Sequence, residues 1–327
     1  MWNVVGGAAL AAAIGAWAGA AAGEPAGTLI RLWEDPRPVA GRDLRWGAGS
    51  PDRAPRPPFT FVEEPSSGTQ PKIVVTDAAG VTWDVKFGPE AHAEVAASRL
   101  VWALGYFVDE VYFVADGVIG GVEDLGRAGE VVSATGAFTA ARFERRDEHM
   151  RRLDRSWSFN ANPFAGSKEL SGLKILMTLV SNWDVEGDRN NRIVEVARPG
   201  QEVHRRYLVS DLGAAFGRMG RRLTNHSKWQ LEHYRQEGFI DEVDGDEVEF
   251  DYDGLESNMD SVPLEHARWF AGLAGELTPA QVRQAFEAAG ATEQEVEGFS
   301  AIVLARLAAL RQAVAQAGTA EGTPRVR

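Results

Sequence analysis

Polar residues able to do chemistry stand in a fixed order along this chain. Lys86 lies within Trp83-Asp84-Val85-Lys86-Phe87-Gly88, and Glu90 and Glu94 follow it closely. Asn182-Trp183-Asp184 precedes Asp188, Asn190 and Asn191, and Ser210-Asp211-Leu212-Gly213 comes last. A strand lysine can hold phosphate oxygens, and a helix glutamate can hold that lysine. An aspartate with an asparagine, and then a late aspartate, offer hard oxygen donors for magnesium and a carboxylate to orient a hydroxyl. Handling a nucleoside triphosphate with magnesium needs this set.

The elements that must position these residues can be read from periodicity. Phe59–Val62 is strand-like, and Pro65-Ser66-Ser67-Gly68-Thr69 is a flexible turn. Lys72–Thr76 and Val81–Phe87 form a hairpin about Asp77-Ala78-Ala79-Gly80. Val81, Trp83, Val85 and Phe87 alternate with Thr82, Asp84 and Lys86, which puts Lys86 on the face opposite the large apolar residues. A helix follows from Pro89 or Glu90 to about Leu104, with proline suited to its first turn. Glu94 sits in the helix body and is the better partner for Lys86, whereas Glu90 also complements the helix N-terminus. Further strand at Tyr106–Val108 and Val111–Val114 completes a small, mostly antiparallel sheet.

Leu170, Leu173, Leu176, Met177 and Val180 predict a buried helix over 167–181, which delivers the chain into Asn182–Asn191. Arg192–Val196 and Arg205–Val209 read as two strands joined around Pro199-Gly200, a hairpin that returns Asp211 toward Asp184 and Asn190. The basic run Arg142–Arg146 with Arg151 and Arg152 reads as a solvated face or a substrate surface. Arg218, Arg221, Arg222, Asn225, His226 and Lys228 form a second basic group, either a solvated loop or a site for transferred phosphate. Residues 238–252 predict a hairpin about Asp244-Gly245. Thr278-Pro279-Ala280-Gln281 is a helix start with a capping box, and Thr292 to Glu295 begins a second, longer helix.

Composition sets outer limits. A formal net charge of -13, from 47 acidic and 34 basic residues, argues against a general nucleic-acid binder. The absence of cysteine removes disulfides and thiolate chemistry. Residues 1–23 are apolar and rich in alanine and glycine, as in an export signal or membrane anchor. The expected location is exported, periplasmic or membrane-tethered, with the cytoplasm as the alternative. Residues 24–58 read as a proline-rich linker, 59–115 as a small nucleotide-binding lobe, 116–318 as a larger lobe with C-terminal helices, and 319–327 as a flexible tail.

On these residues the chain resembles the atypical protein-kinase-like family of bacterial and secretory-pathway kinases, over about residues 59–240. The resemblance implies an α+β, two-lobed protein-kinase-like fold with a small antiparallel sheet lobe and a mainly helical larger lobe. It implies ATP and Mg2+ as cofactors, and a protein or small-molecule hydroxyl acceptor. Lys86 corresponds to the phosphate-pairing lysine and Glu94, or Glu90, to its helix partner. Ser67, Gly68 and Thr69 occupy the place of the phosphate-covering loop. Asp184 matches the catalytic-loop aspartate, with Asp188 as the alternative base. Asn190 or Asn191 and Asp211 match the metal-binding pair. The chain departs from the family in lacking Gly-x-Gly-x-x-Gly, in carrying Asn182-Trp183 before Asp184, and in placing Arg189 five residues after it. Leu212 replaces the usual aromatic. The implied activity is magnesium-dependent ATP phosphotransfer. Its alternatives are a non-catalytic kinase-like binding or scaffold protein of the cell envelope, and a metal-dependent phosphohydrolase.

Overall fold

A computed structural model describes residues 29–66, 70–147, 149–185, 191–196, 203–220, 226–254 and 259–320. The architecture is mixed α+β. Strand β1 (Leu29–Arg31) comes first, followed by β2 (Phe59–Glu63), β3 (Lys72–Thr76) and β4 (Thr82–Phe87). After a helix come β5 (Phe107–Val108), β6 (Val111–Gly120) and β7 (Ala137–Arg145). Strands close in the order β2-β3-β4-β7-β6 into a barrel, antiparallel except where β2 meets β6. Closure removes open sheet edges. The barrel encloses its own apolar core, built on Phe59, Ile73, Val75, Trp83, Val85, Phe138 and Phe143.

Helix α1 (Pro89–Ala103) starts at Gly88, whose φ of 76° suits glycine, and has Pro89 in its first turn. It is buried on nearly every side, and Ala91, Ala93, Ala96, Ala97 and Ala103 let its neighbours approach closely. Gly105 follows at φ 93°, where a Cβ would sit 2.3 Å from the Glu34 carbonyl oxygen. Helix α2 (Lys168–Leu179) is capped by Ser167, whose Oγ accepts from the Leu170 N–H at 3.2 Å.

A second sheet joins β8 (Met150–Arg152), β9 (Arg192–Val196) and β10 (His204–Val209) in the order β1-β10-β9-β8, with β5 also on β10. β9 and β10 are antiparallel, as the sequence predicts. Helix α3 (Leu231–Gln236) precedes a small sheet of β11 (Val243–Asp244), β12 (Glu247–Glu249) and β13 (Ser261–Pro263), shorter than the expected hairpin. The chain ends in α4 (Leu264–Ala274), α5 (Pro279–Ala288) and α6 (Glu293–Ala320). The capping box at Thr278 and Gln281 is formed. Among the described residues α6 alone is long and apolar enough to cross a membrane. It packs instead on α4 and α5 through Val296, Phe299, Val303, Leu307 and Leu310.

The structure corrects three expectations. Residues 29–58 are not a linker: Leu32, Val39 and Leu44 are buried in the large core, and Gln281 on α5 donates to the carbonyls of Val39 and Arg42 at 2.8 and 2.9 Å. Prolines keep regular structure here to short pieces without excluding burial. The barrel does not end at 115, because β6 runs to Gly120 and β7 supplies the partner of β4. The expected tail from 319 begins inside α6, which extends to Ala320. Residues 1–23, for which an export or anchor role is expected, lie outside the described residues, as do 24–28 of the expected linker.

Leu44→Ala is therefore expected to cost about 2–5 kcal/mol in urea-monitored stability, as for other fully buried leucines. A cost below about 0.5 kcal/mol, typical of surface positions, would restore the linker reading.

Candidate functional site

The site begins with a register. Lys72, Lys86 and Arg142 face one another across β3, β4 and β7, and Asp84 pairs with Glu144 in the adjacent row. Their neighbours Val85 and Phe143 point into the barrel core, so these charges share its outer face. Helix α1 lies across that face and brings Glu90 and Glu94 to it.

Lys86 Nζ lies 2.8 Å from Asp211 Oδ1, 3.4 Å from Glu94 Oε2 and 3.9 Å from Glu90 Oε2. Burial pushes the Lys86 pKa down, but Glu94 and Asp211 outweigh it and hold the ammonium above its ordinary value. Burial likewise raises Asp211, and the charge and hydrogen bond of Lys86 overcome that to leave it lowered. Glu94 is raised, because burial exceeds the attraction of Arg142 and Lys86. Glu90 also contacts Lys228, which sits 5.5 Å from the centre of the Trp183 ring. Asp211 itself is left-handed, at φ 55° and ψ 53°, a conformation that aspartate tolerates better than most residues.

Sequence reasoning missed the second half of this network. Arg142, 2% exposed, bridges Glu94 at 3.1 Å and Glu144 at 2.8 Å. Glu144 also meets Arg152 and Arg192, and Arg192 reaches Asp109 at 2.8 Å. Burial raises Glu144, but Arg192, Arg142 and Arg152 pull it far below the usual carboxylate range. The expected solvated face at 142–146 is thus corrected: Arg142 and Glu144 are buried ion partners. The alternation of Ala141 and Phe143 with these two charges was the available signal.

A cavity of about 560 Å³ opens beside the charged face, lined by Lys72, Asp84, Lys86, Arg142 and Arg192, with Met150 and Leu208 as apolar wall. Asp184 lies elsewhere, on a cavity of about 10 Å³ shared with Asn182, Asn191 and Ser210. Asn191 Oδ1 accepts from the Ser210 N–H at 3.3 Å, which links it to the residue preceding Asp211. Lys86 is therefore in contact with Glu90, Glu94 and Asp211, whereas Asp184 and Asn191 share a separate small cavity that reaches Ser210, the residue before Asp211. Ser67, Gly68, Thr69, Asp188 and Asn190 lie outside the described residues, as do Arg221, Arg222 and Asn225.

Among the described residues no three acidic or histidine side chains converge on one point as a self-sufficient metal site. Magnesium is commonly held by one or two protein groups together with substrate phosphates. The 39% exposed Asp211 side chain, with Asn191 bonded to the residue before it, fits an ion that arrives with a nucleotide.

No protein-family model matches the chain, and no curated protein matches it. Two solved structures are similar. The proinflammatory kinase CtkA of Helicobacter pylori is 13% identical with a TM-score of 0.45, the match covering 78% of this chain and 94% of that one. The Golgi casein kinase is 12% identical with a TM-score of 0.42, covering 89% of this chain and 79% of that one.

Arg142→Ala would leave Glu94 and Glu144 buried without their shared partner. It is expected to cost about 3–5 kcal/mol by chemical denaturation, as for other broken buried pairs. A cost near zero would show that the remaining cations suffice. Asp211 carries a pH signature. Its folded pKa lies below the ordinary 3.8, so its contribution is present above that value and is lost as pH falls through the folded one. Between about pH 6 and about pH 2 the wild type should lose more stability than Asp211→Asn. Equal losses would remove Asp211 from the stabilising network.

Proposed function

We propose that this chain is a magnesium-dependent ATP phosphotransferase of two-lobed, protein-kinase-like design, acting on a hydroxyl acceptor. The observation that carries the reading is the joint hold of α1 and the turn after β10 on Lys86. Glu94 and Asp211 keep that lysine charged beside a large, charge-lined cavity.

In this reading Lys86 binds phosphate oxygens and Glu94 fixes its direction, with Glu90 beside it. Asp211, with Asn191 or Asn190, holds magnesium, which neutralises charge on the phosphates when bound. Met150, Val194 and Leu208 offer the apolar wall against which a base would lie. Ser67, Gly68 and Thr69 cover the phosphates. Asp184, or Asp188, accepts the acceptor hydroxyl proton as that oxygen bonds to the terminal phosphorus. The bond to the bridging oxygen breaks, and ADP leaves. Most of the rate enhancement comes from positioning and charge neutralisation. An export signal or anchor at residues 1–23 would place this activity at or beyond a membrane.

The Lys86–Asp211 contact sets a condition on binding: phosphate and metal must separate the two groups. Calorimetric titration of the full chain with a non-hydrolysable ATP analogue tests the reading. Binding is expected to require magnesium, and Lys86→Ala and Asp211→Asn should each weaken it roughly 10- to 100-fold, as for lost charged contacts. No binding by folded wild-type protein at millimolar nucleotide would sink the phosphotransferase and leave the non-catalytic binding role.

A further inference from the structure

A second cavity, of about 600 Å³, lies across the shared wall formed by Glu110, Asp147, Met150 and Leu208. Its cations come from three separate parts of the chain: Arg42, Arg53 and Arg206. Arg53 is already engaged, donating from Nε to Glu110 at 3.0 Å and lying 2.9 Å from Asp147. The other acids are also paired, Asp35 with Arg37 and Glu34 with Arg31 at 3.8 Å.

Arg42 differs. Its guanidinium stacks 3.7 Å from the centre of the Trp102 ring, and its buried Nε has no acceptor among the described residues. No carboxylate there forms a hydrogen bond or ion pair with it. Burial accordingly lowers its pKa, with only Glu34 acting weakly against that. The Arg42 backbone is also held in place. Its carbonyl accepts from Gln281 Nε2 at 2.9 Å, and the Leu44 N–H just beyond donates to Gln284 Oε1 at 3.0 Å. Arg206 enters the same cavity from β10, 4.8 Å from the centre of the Phe107 ring. A planar guanidinium held against an aromatic ring presents its fork ready-made to an oxyanion.

We propose that this second cavity is an oxyanion-binding site, in which Arg42, backed by Trp102 and joined by Arg206, takes the phosphate or carboxylate group of a small ligand. The site is separate from Lys86 and does not depend on the phosphotransferase reading. A free phosphate and a carboxylate metabolite share this chemistry.

Thermal unfolding of the full chain is followed with inorganic phosphate and, separately, with malonate, at constant ionic strength. The melting temperature is expected to rise with at least one of them, and the responding anion assigns the ligand class. Lys86→Ala removes one cation of the first cavity and should keep the rise. Arg42→Gln should weaken the apparent affinity roughly 10- to 100-fold, the loss expected for a charge-assisted contact. Arg206→Gln, which leaves the Trp102 stack intact, should weaken it as well and serves if Arg42→Gln does not fold. Arg42→Lys, which keeps charge without the fork, should fall between wild type and Arg42→Gln. No rise in the wild type, or a rise unchanged in folded Arg42→Gln, would overturn the site. So would a rise lost in Lys86→Ala and kept in Arg42→Gln, since the anion would then belong to the first cavity.

Discussion

An ammonium group taken out of water must be neutralised where it stands, and Lys86 is 18% exposed on the outer face of a barrel. The neutralising groups are not local to its strand. Glu94 and Glu90 come from α1, and Asp211 comes from the turn after β10, far along the chain. The barrel therefore cannot adopt its charged face independently of the helix and the second sheet. Burial alone would favour a neutral lysine; the three carboxylates keep it charged, which is the state that can bind phosphate.

The same constraint propagates outward through charge alternation. Cations on one cross-strand row meet anions on the next, so Arg142 pairs with Glu94 and Glu144, and Glu144 also with Arg152 and Arg192. Arg152 and Arg192 belong to β8 and β9, so the network crosses from the barrel to the second sheet. Such pairs repay their desolvation only when geometry is good. Their arrangement thus fixes where β8 and β9 stand relative to β4 and β7, and with that the width of the cavity between them.

Much of this frame was legible in the sequence because its signals are local. The alternation in Val81–Phe87 set the face of Lys86, Pro89 marked the start of α1, and Thr278 with Gln281 marked that of α5. What was not legible depends on distant partners. Arg142 and Glu144 look like solvent-facing charges until Glu94, Arg192 and Arg152 are brought to them. Residues 29–58 look like a linker because prolines interrupt every period. Their order comes from β10, which pairs with β1, and from Gln281 and Gln284, which take up their backbone groups. The small cavity shared by Asp184 and Asn191 could not be inferred from spacing, which left Asp188 as the alternative to Asp184.

Asp211 shows how the two halves of the candidate site are kept in step. A left-handed aspartate costs on the order of 1–2 kcal/mol and persists only where its surroundings fix it. Gly213 lets α1 approach the turn, since a Cβ there would lie 3.1 Å from Glu90. Farther on, the Phe216 N–H donates to the Val180 carbonyl at 2.8 Å, and the Gln230 N–H donates to Phe216 at 2.7 Å. Val180 caps the end of α2, and the Asn182 N–H bonds back to Met177 in that helix at 2.9 Å. The end of α2 thus anchors both the turn that carries Asp211 and the loop that carries Asp184. Asn191 closes the link by accepting from the Ser210 N–H. Two acidic residues that sequence places 27 positions apart are thus tied, through neighbouring backbone groups, to one helix terminus, while Lys86 ties Asp211 to the barrel.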